Sequence, residues 1–248
     1  MMKNYILTAF RSLLRNSSFS IINIFGLSTS MAVCMLIILI LQDQLSYDNF
    51  HKNKDRIYRI QSINNLGKIS LSKFASATWP LAKELKENYP FVEETVALNS
   101  RYNAEGISDE KRFDVAVFFA TPSFFTLFDF KLKNNLASNP LSEPSTIVIT
   151  EEVADKFFGD NEPIGKTINF EKYGTLKVTG VISETKRKSH IQFDALISSS
   201  TIPVLEKENK IDNITDNWEE FSSTMSICFL TRMPGKVILT LHWQRSVS

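Results

Sequence analysis

The residues of this chain that most invite a chemical reading are Gly159, Gly165, Lys166 and Thr167, in the stretch KFFGDNEPIGKTINF. A glycine followed by Gly-Lys-Thr is the arrangement that folds backbone N–H groups and a lysine around nucleotide phosphates. The spacing is wrong for that chemistry. A phosphate loop leaves four residues between its first glycine and the Gly-Lys-Thr, whereas Asp160, Asn161, Glu162, Pro163 and Ile164 intervene in this chain. Two of them are acidic and would repel a phosphate, and Pro163 has no N–H to offer. The flanks are also inverted, because a phosphate loop follows a strand and opens a helix. TEEVADKFFG reads as the helix instead: Thr150 suits an N-cap, Glu151 and Glu152 suit the first turn, and Gly159 suits the stop. KTINF then alternates like a strand, with Ile168 and Phe170 on one face. The stretch is expected to be a helix–turn–strand corner.

Other chemistry is sparse. The histidines are His51, His190 and His242, and none stands near a Cys, Asp or Glu at metal-ligand spacing. No G-x-S-x-G elbow frames a nucleophile. Glu93 with Glu94, and Glu219 with Glu220, read as solvated faces rather than as acid/base pairs. The Arg56, Tyr58 and Arg59 cluster could hold anionic headgroups, but an ion-pairing site beside Asp48 and Asp55 is the simpler reading. Phe118, Phe119, Phe124, Phe125 and Phe128 are expected to fill a core in preference to lining a hydrophobic ligand cleft. The expectation is a chain with no catalytic, metal-binding or cofactor-binding residues of its own.

The elements that position these residues begin with a membrane span. From Asn16 to Gln42 there is no charged residue, and Ile21–Leu41 is mostly Ile, Leu, Val and Met. At about 1.5 Å per residue such a helix covers the roughly 30 Å hydrocarbon layer. It is longer than the apolar part of a signal peptide, and no small-residue cleavage site follows it. Lys3, Arg11 and Arg15 precede the span while Asp43 and Asp48 follow it, which places the N-terminus in the cytoplasm and the remainder outside. Gly26, Ser30 and Cys34 share one helical face, where small side chains would admit a second helix; tolerated polarity near a helix start is an equal alternative. In MMKNYILTAFRSLLRN, Ile6, Phe10, Leu13 and Leu14 form an apolar face beside Arg11 and Arg15. That pattern suits a short helix on the inner membrane surface with its arginines at the headgroups, or one packed on a cytoplasmic partner.

The net charge of +1 gives no global field toward nucleic acid, and two cysteines make no disulfide framework. Beyond the span, a polar turn-and-helix stretch leads into a strand from Ile57, and TWPLAKELKENYP reads as a helix with Leu81, Leu85 and Tyr89 in register. KRFDVAVFFA reads as one strand presenting Phe113, Val115 and Val117, and TPSFFTLF as another Thr-Pro helix start. STIVIT, TLKVTGVIS and FDALISSS read as further strands, with Gly180 marking a bulge or close approach. Strands mixed with short helices, without strict alternation, predict an α+β domain.

The order of these segments resembles the MacB/FtsX-type ABC transporter permeases. SIINIFGLSTS leading the span, LSYDNFHKNKDRIYRI after it, then PLAKELKENYPFVEET, TPSFFTLFDFKL, LSEPSTIVITEEVADKFFGDNEPIGKTINF, LKVTGVISE and SHIQFDALIS carry the resemblance. It implies a cytoplasmic amphipathic helix over residues 1–17, a transmembrane helix over 18–42 and a MacB-like periplasmic core domain over 43–232. That domain is expected to be α+β, with a part resembling the porter domains of efflux pumps and a smaller lobe. Asp48, His51, Arg56, Tyr58, Arg59, Phe158, Gly159, Pro163, Gly165, Lys166 and Thr167 would be structural signature residues.

The resemblance also implies an inner-membrane protein, dimeric or paired with another permease, in contact with lipid, and working with an ABC ATPase subunit that uses the ATP. A periplasmic or outer-membrane partner fits the same picture, and nucleic acid does not. Residues 233–248 depart from the family pattern, for which a frameshift or truncated gene is the preferred explanation. The rival reading is a single-span sensor or ligand-binding module without transport activity.

Overall fold

A computed structural model describes residues 5, 8, 11, 14–48, 51–52, 54–64, 72–100, 103–136, 138–183, 189–219 and 224–230. The chain divides into two units, Met1–Asn49 and Phe50–Ser248. In the first unit, α1 (Ser17–Leu45) runs for 29 residues, or about 43 Å, enough for the hydrocarbon layer and its interfaces. Among the described residues it is the one helix long and apolar enough to cross a membrane. It continues past Gln42, where a transmembrane segment was expected to end, because Asp43 and Gln44 are helix-compatible polar residues. The stop comes at residues 46–48, where Asp48 turns to a φ of 54°. Tyr5, Thr8, Arg11, Leu14 and Arg15 are helical and Asn16 is a turn residue before α1. The expected apolar positions Ile6, Phe10 and Leu13 lie outside the described residues.

Within α1 the hydroxyls of Thr29 and Ser30 donate to the carbonyls of Phe25 and Gly26, at 2.8 and 2.9 Å. A polar side chain that bonds its own helix backbone carries no open donor into an apolar medium. Gly26, Ser30 and Cys34 are all exposed, and a Cβ added at Gly26 would meet nothing within 4 Å.

The second unit is α+β. In chain order it contains β1 (Ile57–Arg59), β2 (Ser62–Asn64), β3 (Ser72–Phe74), α2 (Trp79–Asn88), β4 (Val92–Ser100), β5 (Ala104–Ser108), β6 (Lys111–Val115) and β7 (Val117–Ala120). There follow α3 (Phe124–Leu127), β8 (Leu132–Asn135), β9 (Thr146–Thr150), α4 (Glu151–Phe158), β10 (Thr167–Phe170), β11 (Gly174–Ile182), β12 (Ala195–Ser198), α5 (Ile202–Lys207) and β13 (Thr224–Leu230). One mixed sheet has the order β1-β13-β4-β7-β12-β9-β11-β10-β5-β6, with β8 also on β11, while β2 and β3 pair separately. The β7–β12 and β9–β11 pairs are parallel, and the incoming strand β1 lies antiparallel to β13, with Ile57 opposite Phe229.

The centre of the sheet is covered on both faces, which the alternation of its strands records. Ile147, Ile149, Ala195 and Ile197 pack on one side with Val153 and Phe157 of α4. Their neighbours Val148 and Leu196 pack on the other side with Phe124, Phe128 and Leu141. Helix α2 begins at Trp79-Pro80, a tolerated place for proline, and buries Ala82 and Leu85 while Leu81 and Tyr89 are half-buried.

The structure corrects one sequence reading. KRFDVAVFFA is two strands, because at Ala116 the chain leaves the β5 ladder for that of β4 and β12. Asp194 fixes the break: its carboxylate accepts from the Ala116 N–H at 2.9 Å, and its own N–H donates back to the Ala116 carbonyl at 2.9 Å. Glu93 and Glu94 lie at the surface, as read, and each is ion-paired. They lie on β4, Glu93 bonded to Arg56 and Glu94 to Lys86 at 2.5 Å. Gly180 marks both a register shift against β9 and a close approach, since an added Cβ would stand 3.3 Å from Leu132. Glu220 and His242 lie outside the described residues.

Candidate functional site

The corner at residues 150–170 is built by local rules. The Thr150 hydroxyl accepts from the Val153 N–H at 3.4 Å and starts α4, and Lys156 pairs with Glu152 one turn earlier at 2.8 Å. That bond to Glu152 also raises the Lys156 ammonium pKa. Gly159 ends the helix at φ 57°, ψ −129°, a conformation that admits glycine and little else. Gly165 sits at φ 84° in the turn that returns the chain to the sheet. β10 then buries Ile168 and Phe170 and exposes Thr167 and Asn169.

Four backbone donors of this corner are bonded within the fold. The N–H groups of Gly159 and Asn161 donate to the carbonyls of Asp155 and Phe158, at 3.0 and 3.1 Å. Lys166 N–H donates to Pro163 at 3.1 Å, and Gly165 N–H to Val178 of β11 at 2.8 Å. Val178 N–H returns a bond of 2.8 Å to Lys166, and Leu136 N–H donates to Thr179 at 3.0 Å. The turn therefore fills the stretch of β11's edge between β10 and β8, and its amides serve as rungs of the sheet. The Lys166 ammonium lies 5.0 Å from the centre of the buried Phe158 ring, a cation–π contact that folds the side chain back onto α4.

His51, Arg56, Tyr58 and Arg59 lie where the chain enters the sheet domain. His51 is buried, with its ring 5.1 Å from that of Phe128 and 5.9 Å from that of Phe130. Its Nδ1 accepts from the Asp129 N–H at 3.3 Å, and the Lys52 N–H donates to Asp129 Oδ2 at 2.7 Å. Arg56 pairs with Glu93 of β4, Tyr58 lies opposite Cys228 in the β1–β13 ladder, and Arg59 Nε donates to the Ala75 carbonyl at 2.7 Å. The structure thus supplies Glu93 as an acid for Arg56 that the sequence reading did not name. Asp48 belongs to the first unit. Burial pushes the Cys228 thiol up to about 11.

Sequence reasoning missed Asp129. Its signal was an acid set between two aromatics in FDF, and its partners stand 77 and 78 positions earlier in the chain. Among the described residues no group of three or more His, Cys, Asp or Glu is placed to hold a metal ion.

Residues 20–225 match the family of the MacB-like periplasmic core domain, from within the apolar helix to the start of β13. Among solved structures, a domain described as that of a permease protein from Porphyromonas gingivalis is similar at 20% identity with a TM-score of 0.63. The match covers 76% of this chain and 78% of that one. The periplasmic region of MacB from Actinobacillus actinomycetemcomitans aligns at 15% identity and a TM-score of 0.47, over 72% of this chain and 75% of that one. The extracellular domain of the ABC-type transporter YknZ from Gram-positive bacteria aligns at 14% identity and a TM-score of 0.49, over 71% and 82%. None of the curated proteins matches the chain.

Proposed function

The chain belongs to the family of the MacB-like periplasmic core domain, and on that premise we propose that it is a membrane-anchored permease subunit of an ABC-type transporter. In this reading α1 crosses the inner membrane with its N-terminus in the cytoplasm, Arg11 and Arg15 meet the inner headgroups, and the α+β domain stands in the periplasm. ATP is hydrolysed by a partner ABC ATPase subunit, and the chain, as a homodimer or beside a second permease, converts that hydrolysis into domain movement in export or efflux. A periplasmic or outer-membrane partner would receive the movement.

The observation that carries the reading is that the family match spans apolar helix and sheet domain together, over residues 20–225. The five-residue spacing between Gly159 and Gly165, and the bonds that the Gly159, Asn161, Gly165 and Lys166 N–H groups make within the fold, support the assignment of ATP to a partner. The face with Gly26, Ser30 and Cys34 would take another membrane helix, and the signature residues of the corner and of the 48–59 segment would shape the domain rather than bind a ligand. The test is to isolate the tagged full chain from its own membranes after crosslinking and to identify what comes with it. An ABC ATPase subunit is the expected companion; recovery with a cytoplasmic signalling protein and no ATPase would favour a single-span sensor instead.

A further inference from the structure

The sheet order ends at β6, which has β5 on one side and, among the described residues, no strand on the other. Ser108 and Lys111 close the β5–β6 hairpin around Asp109 and Glu110, with Asp109 at φ 52°. A two-residue turn makes its closing residues a hydrogen-bonded pair, and such pairs alternate along an antiparallel ladder. Lys111, Phe113 and Val115 therefore turn their N–H and C=O groups to β5, while Arg112 and Asp114 turn theirs to the open edge. The side chains alternate as well. Phe113, half-buried, has its ring 5.2 Å from that of Phe157, and Val115 is buried, so Arg112 and Asp114 project from the other face, where both are exposed.

Charge of one sign guards a sheet edge, because it repels a second copy. This edge carries a base and an acid two residues apart. Asp114 faces Glu105 directly across the ladder, a like-charged neighbour, and Arg112 reaches Glu105 only diagonally, at 3.7 Å. A cation on the open side of Asp114 would offset that repulsion. A second copy of β6, antiparallel and centred on Phe113, supplies one: Arg112 of each copy falls opposite Asp114 of the other. Those are also the residues whose open backbone groups then face each other, so each pair exchanges both of its N–H···O bonds, and the two Phe113 side chains meet at the centre. A slip of one residue sets outward groups against inward ones. A slip of two sets Arg112 against Arg112 or Asp114 against Asp114.

We propose that the β6 edge pairs with the same edge of a second copy of this chain, Arg112 of each opposite Asp114 of the other. The pairing goes beyond the permease reading and stands without it, since it requires two copies of the chain and no ATPase.

The experiment uses the full chain in native membranes as two differently tagged copies, with Cys34→Ala to remove the exposed thiol and the buried Cys228 left in place. One copy carries Arg112→Cys and the other Asp114→Cys, both at exposed positions. Opposite Cα atoms of a hydrogen-bonded pair stand about 5.5 Å apart, within reach of a disulfide, and diagonal ones about 7–8 Å, beyond it. Oxidation with copper phenanthroline is expected to link the mixed copies and to link neither substitution with itself. Phe113→Cys in both copies reports the centre of the pair. Adding Arg112→Asp or Asp114→Arg to it is expected to slow that link by roughly 2- to 30-fold, and adding both to restore it. The mixed copies decide alone if Phe113→Cys does not fold. No link between the mixed copies would overturn the pairing, as would a link of either cysteine to itself or to a different protein in place of the second copy. Reversals without effect, or without rescue by the double exchange, would overturn the register. None of these results bears on the ATPase companion, so the pairing and the permease reading fail separately.

Discussion

Replacing Gly165 by alanine and, separately, Lys166 by alanine distinguishes a fold-shaping corner from a phosphate site. Gly165 holds φ 84°, and a Cβ added there meets nothing within 4 Å. The cost of Gly165→Ala is therefore conformational, with no clash to add: about 1–2 kcal/mol for an L-residue forced into the left-handed region. The bond from its N–H to Val178 would resist any relaxation of the turn. For a domain of this size that is a fall of about 3–6 °C in Tm. Lys166→Ala removes one exposed cation–π contact, worth about 0.5–1 kcal/mol. The expected order is thus Gly165→Ala more damaging than Lys166→Ala, with no change in nucleotide affinity for either. Thermal unfolding of the full chain in detergent, followed by near-ultraviolet circular dichroism, measures the first quantity. Titration with magnesium-ATP measures the second. Magnesium-dependent ATP affinity that disappears in Lys166→Ala would refute the reasoning, as would an unchanged Tm in Gly165→Ala.

Gly106→Ala should destabilise by about 1–3 kcal/mol through overpacking, since the added Cβ would stand 3.1 Å from Ile168, Phe157 and Phe170 at once; urea unfolding monitored by tryptophan fluorescence checks it. The buried Cys228 thiol ionises near 11 in the fold against an ordinary 9.0. Stability drawn from the neutral thiol is then complete below pH 9, where neither state ionises. It is lost as the pH rises from 9 toward 11, where the unfolded chain releases its proton first. Unfolding midpoints across pH 8–11 for the parent and Cys228→Ala should converge or cross in that window; parallel curves would contradict the assignment.

The corner was legible in the sequence because its determinants act over a few residues. Thr150 caps its own helix, Gly159 and Gly165 supply the positive φ values, and the period-two burial of Ile168 and Phe170 follows from KTINF. The apolar helix was legible from composition, and the family from the order of several motifs that are weak singly; residues 20–225 match that same family.

Strand β4 was hidden because Thr95 to Asn99 are buried without a break between the two faces of the sheet, so VEETVALNS shows no alternation, and its two glutamates suggested solvent. The division at Ala116 depends on Asp194, and the attachment at His51 depends on Asp129. Both are pairings across roughly eighty residues that no local pattern records. The strand order, which sets β1 beside β13 and β7 beside β12, is nonlocal for the same reason.

The most direct test of the account is hydrogen exchange over residues 51–230 of the full chain, kept in native membranes with its co-isolated partners, with and without magnesium-ATP. The account predicts that ATP changes exchange in the sheet domain, that the change is abolished by inhibiting the partner ATPase, and that Lys166→Ala leaves it intact. A domain whose exchange is indifferent to ATP, or whose response disappears with Lys166, would contradict it.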